Sequence, residues 1–376
     1  MKGDYSFSYW FNMKQKINPV ELPVDFQVNI DTVRFSVRGV ELELDNVTKA
    51  VIASADGEYL HTITNRKGVE GVSPRHRLQV RYKTKAGSKE GELFVEGSPF
   101  AFRYGQNVFS SSDIHEACIP TLREVSQMLK FVASKETRKA WEDGVVELHR
   151  VDLAVNFVLE SEAQVRQALK QLAHQIAAMP CQSSLHVRYV ALAPRHASRY
   201  KISAYAKGSQ MRLKTAGNHQ EEVFERLVDE CQTVLRIEVR LLRRELKDLG
   251  LTFVRDWEED TAKRLFEKYF PKLPVHKVTF GPLSADDLKK IGERMRPILA
   301  LHMNGIDWRP IYSPRSRARH KVHFAAHGID LDAPHQTKPS ISLRDLLSRK
   351  RAIMTTPRWL IDAGMAPRKK RKRIEK

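Results

Sequence analysis

The stretch VVELHRVDLAVNFVL, residues 145–159, decides the fold, because apolar and polar side chains alternate along it. A β-strand points successive side chains to opposite faces, so this stretch has two different faces. The apolar column, suited to packing against helices, consists of Val151, Leu153, Val155 and Phe157. The polar column consists of Arg150, Asp152 and Asn156. The pattern predicts a strand with one face in the core and the other polar.

Two later segments have the same two-faced pattern. The polar column of residues 200–207 consists of Lys201, Ser203, Tyr205 and Lys207. The polar column of residues 234–242 consists of Arg236, Glu238 and Arg240. If the three strands share one sheet, its polar face is an open platform of carboxylates, cations and a tyrosine. A strand predicted over residues 185–192 would add His186 and Arg188, which share one column.

Helices are predicted around these strands. Residues 161–179 place Val165, Leu169, Leu172 and Ile176 on one face, which predicts an amphipathic helix. A polar helix is predicted over residues 220–231, an earlier helix over residues 119–142, and several strands over residues 20–105. The order strand, helix, two strands, helix, strand predicts an α+β fold, an antiparallel sheet with helices on one face.

The chain divides into three predicted regions. These are an N-terminal strand-rich region (1–90), a catalytic domain (91–275) and a helical basic region (276–376). In the last region, short helices are predicted over residues 286–301, 316–327 and 355–367, and residues 368–373 form a basic tail. The helix near residue 320 carries Arg315, Arg317, Arg319 and Lys321 as candidate DNA-binding residues. A solvated charged face explains these cations equally well, and the tail is expected to act as a disordered electrostatic tether.

The net charge of the chain is +19 and its pI is about 9.8. Such a basic protein is expected to meet a polyanion, either nucleic acid or anionic lipid, unless its host has a generally basic proteome. Three cysteines without CxxC spacing suggest reduced thiols rather than a disulfide framework or a zinc site. The sequence has neither a signal-peptide pattern nor an apolar run long enough for a membrane span. We therefore expect a protein of the cytoplasm with no membrane partner.

The polar platform has the residue types for metal-assisted phosphodiester chemistry. Asp152 and Glu238, with His186 as a candidate third ligand, could hold Mg²⁺ or Mn²⁺. Such an ion polarises a phosphate, and cations such as Arg240 stabilise the charge that develops on its oxygens. A tyrosine at that place can attack phosphorus and hold the DNA end covalently. The ordinary alternative is a solvated sheet face with cross-strand ion pairs, and alternation alone favours it.

The sequence resembles the gene II/gene X replication-initiator family of filamentous bacteriophages. Four segments carry the resemblance in the family's order: Gly97-Ser98-Pro99 with GQNVFSSSD (105–113), Arg150-Val151-Asp152, SAYAK (203–207), and LRIEVR (235–240) with Leu249-Gly250-Leu251. They are similar to the family's SP…G-x-N-V-F block and its R-(I/V)-D, A-Y-x-K and R-(F/I)-E-x-R strands. The resemblance covers residues 90–255, and the first 75 residues match poorly.

This resemblance implies a rolling-circle nickase fold and a site-specific endonuclease that nicks and rejoins origin DNA. The A-Y-x-K tyrosine corresponds to Tyr205, the nucleophile, and Lys207 would lie near the scissile phosphate. Asp152 and Glu238 would be metal ligands. The histidine–hydrophobe–histidine pair of many nickases does not occur in this sequence. Asn107 and Asp113 match the family block, and for both a turn-capping role is as plausible as contact with DNA.

The expected partners are origin DNA, single-stranded at the nick, with a host helicase and polymerase as possible further partners. Around the site, the candidate DNA-binding residues are Arg150, Lys201 and Arg236. Two alternatives stay open. A plasmid mobilisation relaxase would share the chemistry but act on a transfer origin. A non-catalytic DNA-binding regulator would use the platform only as a basic surface.

Overall fold

The stretch that alternates most clearly forms the centre of the sheet. In the computed structural model, strand β7 (Glu147–Val158) lies between β1 (Asn29–Val40) and β11 (Val234–Leu242), antiparallel to both. The structure describes residues 22–23, 26–42, 49–53, 59–64, 66–72, 76–85, 87–177, 179, 181–186, 188–194, 198–215, 222–280, 291–303, 306–327, 329–332 and 341–367.

Eleven strands of the described chain form one antiparallel sheet. The other strands are β2 (Lys49–Ala53), β3 (Tyr59–Thr64), β4 (Lys67–Glu70), β5 (Arg77–Lys85), β6 (Gly91–Gly97), β8 (Gln182–His186), β9 (Tyr189–Ala193) and β10 (Tyr200–Ala206). The strand order is β2-β3-β5-β6-β1-β7-β11-β10-β9-β8, and β4 pairs with β5. A separate two-stranded sheet pairs β12 (Thr279–Phe280) with β13 (Ile341–Ser342).

Helices surround this sheet, so the α+β class predicted from the element order is confirmed. They are α1 (Pro99–Tyr104), α2 (Ile114–Leu129), α3 (Lys135–Glu142), α4 (Glu162–Ala177), α5 (Lys207–Thr215), α6 (Glu222–Glu230), α7 (Arg243–Asp248), α8 (Thr261–Tyr269), α9 (Arg296–Met303), α10 (Pro314–Ala326), α11 (Leu343–Leu347) and α12 (Arg358–Asp362).

Helix α4 covers the apolar face of the sheet, as its pattern predicts. The four side chains predicted to share one face, Val165, Leu169, Leu172 and Ile176, are all fully buried. They belong to the same core as the inward-facing side chains of β9, β10 and β11. The hydrophobic effect of this burial fixes the face of the sheet that packs on helices, and leaves the opposite face for the polar columns.

Two predicted elements are each divided in two. The helix expected over residues 119–142 is interrupted after Leu129, because Lys130 adopts a left-handed conformation with φ 54°. A second helix then begins at Lys135, where the hydroxyl of Ser134 accepts a hydrogen bond from the Thr137 amide. The single strand expected over residues 185–192 is wrong, because β8 and β9 form a hairpin in which His186 pairs with Tyr189.

The N-terminal strands continue the sheet that carries the polar columns. Strand β1 pairs with β6 on one side and with β7 on the other. The sheet therefore runs across the boundary predicted near residue 90, and the division at that point stays a prediction.

The C-terminal part has a small core of its own and also returns to the sheet. Its core consists of Ile291, Ile298, Leu299, Trp308, Phe324, Ile329 and Leu331. Further on, the Met354 amide donates to the Asn156 carbonyl at 3.1 Å, and Leu360 packs beside Val108 and Phe109. The basic tail at 368–373 lies outside the described residues. Among those described, no helix combines the length and the apolar character that crossing a bilayer requires.

Candidate functional site

The register of the central strands brings the three predicted polar columns together on one face. Across β7, β11 and β10, one row consists of Asn156, Arg236 and Tyr205, and another consists of Asp152, Arg240 and Lys201. In the row between them, Glu238 has the small side chains of Ala154 and Ser203 as neighbours. These small neighbours leave room above Glu238.

This face is the floor of a cavity of about 1270 Å³ and is not an open platform. Residues 105–107 and 363–365 contribute to its walls. Asp152, Tyr205 and Glu238 line the cavity, yet only 1%, 5% and 8% of their surfaces are exposed. The expectation of a solvated face is wrong, because segments distant in sequence cover it. Interactions between these charges are consequently stronger than they would be in water.

A third carboxylate, Asp31, belongs to this site and was missed in the sequence. Pairing of β1 with β7 shifts between Ile30 and Val33, which marks an irregularity that contains Asp31. One oxygen each of Asp31, Asp152 and Glu238 lie within 4.8 Å of one another, so the three could hold a metal ion. The sequence does contain a signal for this irregularity. Around the start of β1 the apolar positions change from even numbers (Val28, Ile30) to odd numbers (Val33, Phe35, Val37), a pattern typical of a β-bulge.

The structure does not bring His186 to these carboxylates. Its side chain is exposed on the edge strand β8, where its Nε2 lies 3.4 Å from the Ser184 hydroxyl. The other group in the described chain that could hold a cation contains Glu92, Glu147 and His149. His186 belongs to neither group, so the geometry favours Asp31 as the third ligand in its place.

Three guanidinium groups balance the three carboxylates. Arg150 Nη2 and Arg240 Nη2 lie 2.5 and 3.1 Å from Asp152 Oδ2. Arg236 bridges the other two, with nitrogens 3.0 Å from both Asp31 Oδ1 and Glu238 Oε1. Pairing of this kind is what permits so much charge to be buried.

The prediction that Arg236 binds DNA is wrong. Its side chain is 0% exposed, and its Nη1 donates to the Asn107 carbonyl at 2.8 Å. Burial acts to lower the pKa of Arg236, but Tyr205, Asp31 and Glu238 raise it by more, so the group stays charged. Arg236 is therefore an internal counter-ion of the carboxylates.

The hydroxyl of Tyr205 donates to Glu238 Oε1 at 2.5 Å. Burial, followed by the charge of Glu238, raises the pKa of Tyr205 well above 10, so the phenol is protonated at neutral pH. Burial and the neighbouring Asp31 also raise the pKa of Glu238. The carboxylate is thus a stronger base than an exposed glutamate, and it is already in contact with the phenolic proton.

Asn107 connects Lys207 with the carboxylates. Lys207, the first residue of α5, is buried, and its Nζ donates to Asn107 Oδ1 at 2.8 Å and to Gln210 Oε1 at 3.0 Å. Asn107 Nδ2 in turn donates to Asp31 Oδ1 at 2.6 Å. The role of Asp113 is different, because its carboxylate caps α2 by accepting from the amides of His115 and Glu116.

The other predicted DNA-binding residues lie in two places. Arg150 lines the cavity, and Lys201 lies near it, with its Nζ 5.5 Å from the centre of the Tyr189 ring. Helix α10 carries Arg315, Arg317, Arg319 and Lys321. Of these, Lys321 pairs with Asp332 at 2.9 Å.

The chain is similar in sequence to phage replication-associated proteins. The family model of the N-terminal part of the phage replication-associated protein, the gene II product, matches residues 28–260. The replication-associated gene II product of Enterobacteria phage I2-2 is 24% identical over 257 residues, which cover 68% of this chain and 74% of that protein. The crystal structure of DynU16, from the dynemicin biosynthetic locus, aligns at 12% identity over 65% of this chain and 98% of that one, but its TM-score of 0.19 supports no structural argument.

The match to the family extends over more than half of the chain and includes all the strands that carry the cavity floor. It also includes Asp31, which lies outside the segments that carried the resemblance in the sequence. The chain therefore belongs to the family of phage replication-associated proteins that comprises the gene II replication initiators of filamentous phages.

Proposed function

We propose that this replication initiator is a metal-dependent nicking-joining endonuclease that cuts one strand of origin DNA by forming a phosphotyrosine on Tyr205. The observation that carries the proposal is the 2.5 Å hydrogen bond from the Tyr205 hydroxyl to Glu238. It lies inside a cavity that also contains two further carboxylates and the side chains of Arg150 and Arg240. A nucleophile, a base and cations for a phosphate are thus within one site.

In the proposed reaction, Tyr205 Oη attacks phosphorus while its proton passes to Glu238. The bond from phosphorus to the 3′ oxygen breaks, and that oxygen leaves as a 3′-hydroxyl after taking up a proton. The 5′ end stays attached to Tyr205 as a phosphate diester. Attack by a 3′-hydroxyl on this ester reverses the steps, rejoins the strand and restores the phenol, so no external energy source is needed.

The donor set fits a hard divalent cation. Three carboxylates close to one another are the ligands that Mg²⁺ and Mn²⁺ prefer, and Asp31, Asp152 and Glu238 would hold the ion. When bound, the ion supplies Lewis-acid stabilisation of the charge on the phosphate. Because Arg236 now bridges Asp31 and Glu238, its guanidinium competes with a cation for the same oxygens.

The basic side chains around the cavity have two proposed roles. Arg150 and Arg240 both pair with Asp152 while lining the cavity, so they can turn toward an incoming phosphate. Lys207 is held in place through Asn107 and is proposed to contact the non-bridging oxygens of the scissile phosphate. Preorganised cations of this kind stabilise transition-state charge without reorganisation during the reaction.

The test is covalent capture on DNA. Supercoiled replicative-form DNA of the phage that encodes the protein is incubated with protein and Mg²⁺, and adducts are resolved in denaturing gels. We expect wild-type protein to nick the DNA and form an adduct, and Tyr205→Phe to form none, because the variant lacks the attacking oxygen.

Tyr189→Phe is the matched control, since the Tyr189 ring also lines the cavity, 6.3 Å from that of Tyr205. It is expected to form the adduct. Adduct formation by Tyr205→Phe would show that another residue is the nucleophile. A wild-type protein that binds the DNA without metal and never nicks it would support a non-catalytic regulator.

A further inference from the structure

One side of helix α10 exposes both arginines and small apolar side chains. Its buried face includes His320, Phe324 and Ala325. At about 100° per residue, the exposed residues Arg315, Ala318, Arg319, Val322 and Ala326 fall within one stripe on the side away from His320 and Phe324. We name these five residues the α10 stripe.

The α10 stripe combines exposed apolar surface with cations that pair with no carboxylate of the described residues. Within the described chain, Arg315 and Arg319 form no ion pair, whereas Lys321, on the flank of the helix, is already paired with Asp332. Val322, one turn after Ala318 and Arg319, is 65% exposed. The helix PRSRARHKVHFAA contains no acidic residue.

The helix is firmly attached to the body of the protein. Ser313 caps its first turn, and Gln175 of α4 donates to the Ala325 carbonyl at 2.8 Å. Lys170 of α4 pairs with Asp330 and Asp332, just beyond the end of the helix, at 2.9 and 3.1 Å. The 13 residues span about 20 Å. A helix of this length has the dimensions of one that enters the major groove of DNA.

We propose that the α10 stripe reads the base edges of duplex DNA in the major groove. This inference rests on the proposed function, since it assigns the origin-recognition surface of the same nicking enzyme. Arginine pairs with guanine through two hydrogen bonds, and small apolar side chains contact the methyl group of thymine. Arg315 and Arg319 can bind phosphates as well as guanine, and Ala318 and Val322 lie between and beside them, where a thymine methyl group could contact them.

The location of the helix separates recognition from cleavage. Helix α4 packs on the apolar face of the sheet, whereas the cavity with Tyr205 is on the polar face. Helix α10 packs on α4, and none of the five residues of the α10 stripe lines the cavity. We therefore expect the duplex read by α10 and the strand in the cavity to be different parts of the DNA.

The experiment is a selection from a library of duplexes with randomised central base pairs. The protein carries Tyr205→Phe, so the selection measures binding and its result does not depend on nicking. Separate variants add Arg315→Ala, Arg319→Ala or Val322→Ser. The control adds Arg138→Ala, which removes an exposed helical arginine from α3.

We expect the parent protein and the Arg138→Ala control to enrich the same motif. Each arginine variant should lose about tenfold of the preference at one or two base pairs, which corresponds to ~1.4 kcal/mol. Val322→Ser should relax a preference for thymine. Thermal unfolding of each variant verifies that the surface changes leave the fold intact.

Three results would overturn the proposal. The first is an unchanged motif in all α10 variants. The second is a uniform loss of affinity with an unchanged motif, which would mean that the helix contacts phosphates only. The third is a parent protein that enriches no motif, in which case the exposed stripe would have another partner, such as a protein.

Discussion

The charge pairing around Arg236 dominates the site at the scale of single residues. Its guanidinium holds Asp31 and Glu238 in place, as a divalent cation would. Removing one member of a buried ion group leaves the others uncompensated and typically costs about 3–5 kcal/mol. Substitutions that keep the shape and remove only the charge are therefore preferable to alanine for testing the roles of these residues.

Asp31→Asn tests the third metal ligand. We expect a weaker interaction with Mn²⁺, because the amide is a poorer ligand than the carboxylate. Stabilisation of the folded protein by Mn²⁺, measured in urea unfolding, should fall by about 1.4 kcal/mol for each tenfold loss of affinity.

His186→Gln is the comparison, and its response to Mn²⁺ should equal that of wild-type protein. A reduced response in His186→Gln together with an unchanged one in Asp31→Asn would restore the histidine as the third ligand.

Helix α5 is the element whose position matters most to the site, because it starts at Lys207. Gly208 allows its first turn to approach the turn between α6 and β11 closely. The Gly208 amide donates to the Cys231 carbonyl at 3.0 Å. A Cβ atom at Gly208 would lie 2.8 Å from backbone atoms of Cys231 and Gln232. No flexible side chain is available there to give way.

The substitution Gly208→Ala has two opposing effects on stability: it raises helix propensity and creates this steric contact. Replacing glycine by alanine gains at most about 1 kcal/mol of helix propensity, while overpacking against backbone costs about 1–3 kcal/mol. We expect a net loss of stability in urea unfolding and slower adduct formation, because Lys207 moves with the helix.

Gly292→Ala is the control, because its Cβ would meet no atom within 4 Å. Its stability should change by less than about 0.5 kcal/mol. A Gly208→Ala protein more stable than wild type would show that α5 moves without cost.

At the scale of the whole molecule, the continuous sheet joins the N-terminal strands to those of the site. Polar side chains of β7, β1 and β6 are in contact where the two groups of strands meet. His149 Nε2 of β7 lies 2.8 Å from the hydroxyl of Ser36 on β1, which donates to Glu92 of β6 at 2.7 Å. We expect β1–β6 and β7–β11 to unfold in one transition.

This junction predicts a pH dependence of stability. Burial lowers the pKa of His149 to about 4, from an ordinary 6.5; the surrounding charges are Glu147, Arg243, Arg34 and Glu92. Below pH 6.5 the unfolded chain takes up a proton that the folded protein does not. The stability contribution is therefore present above pH 6.5 and is lost as the pH falls toward 4.

Between pH 7 and 5 this loss amounts to about 2 kcal/mol. It should appear in the difference between wild-type protein and His149→Gln, measured by urea unfolding at both pH values. Equal pH dependence of the two proteins would contradict the prediction. Two separate transitions would contradict the unfolding of the sheet as one unit.

Several features followed from the sequence because they depend on local geometry. The direction of a side chain from a strand or helix is set by its own backbone, so periodicity predicted the faces of β7, β10, β11 and α4. The same periodicity placed Asp152, Tyr205 and Glu238 on one face. The order of short motifs indicated the family, which the match over residues 28–260 confirms.

Only the tertiary structure decided whether that face is open and what completes it. Residues 105–107 and 363–365 cover the face, and Asp31 on β1 completes the group of carboxylates. Arg236 was predicted to bind DNA because its strand pattern places it on the polar face. Its burial could not be predicted, since it depends on chain segments far away in the sequence, such as the one that contains Asn107. Burial and ion pairing are properties of long-range contacts, which local periodicity does not encode.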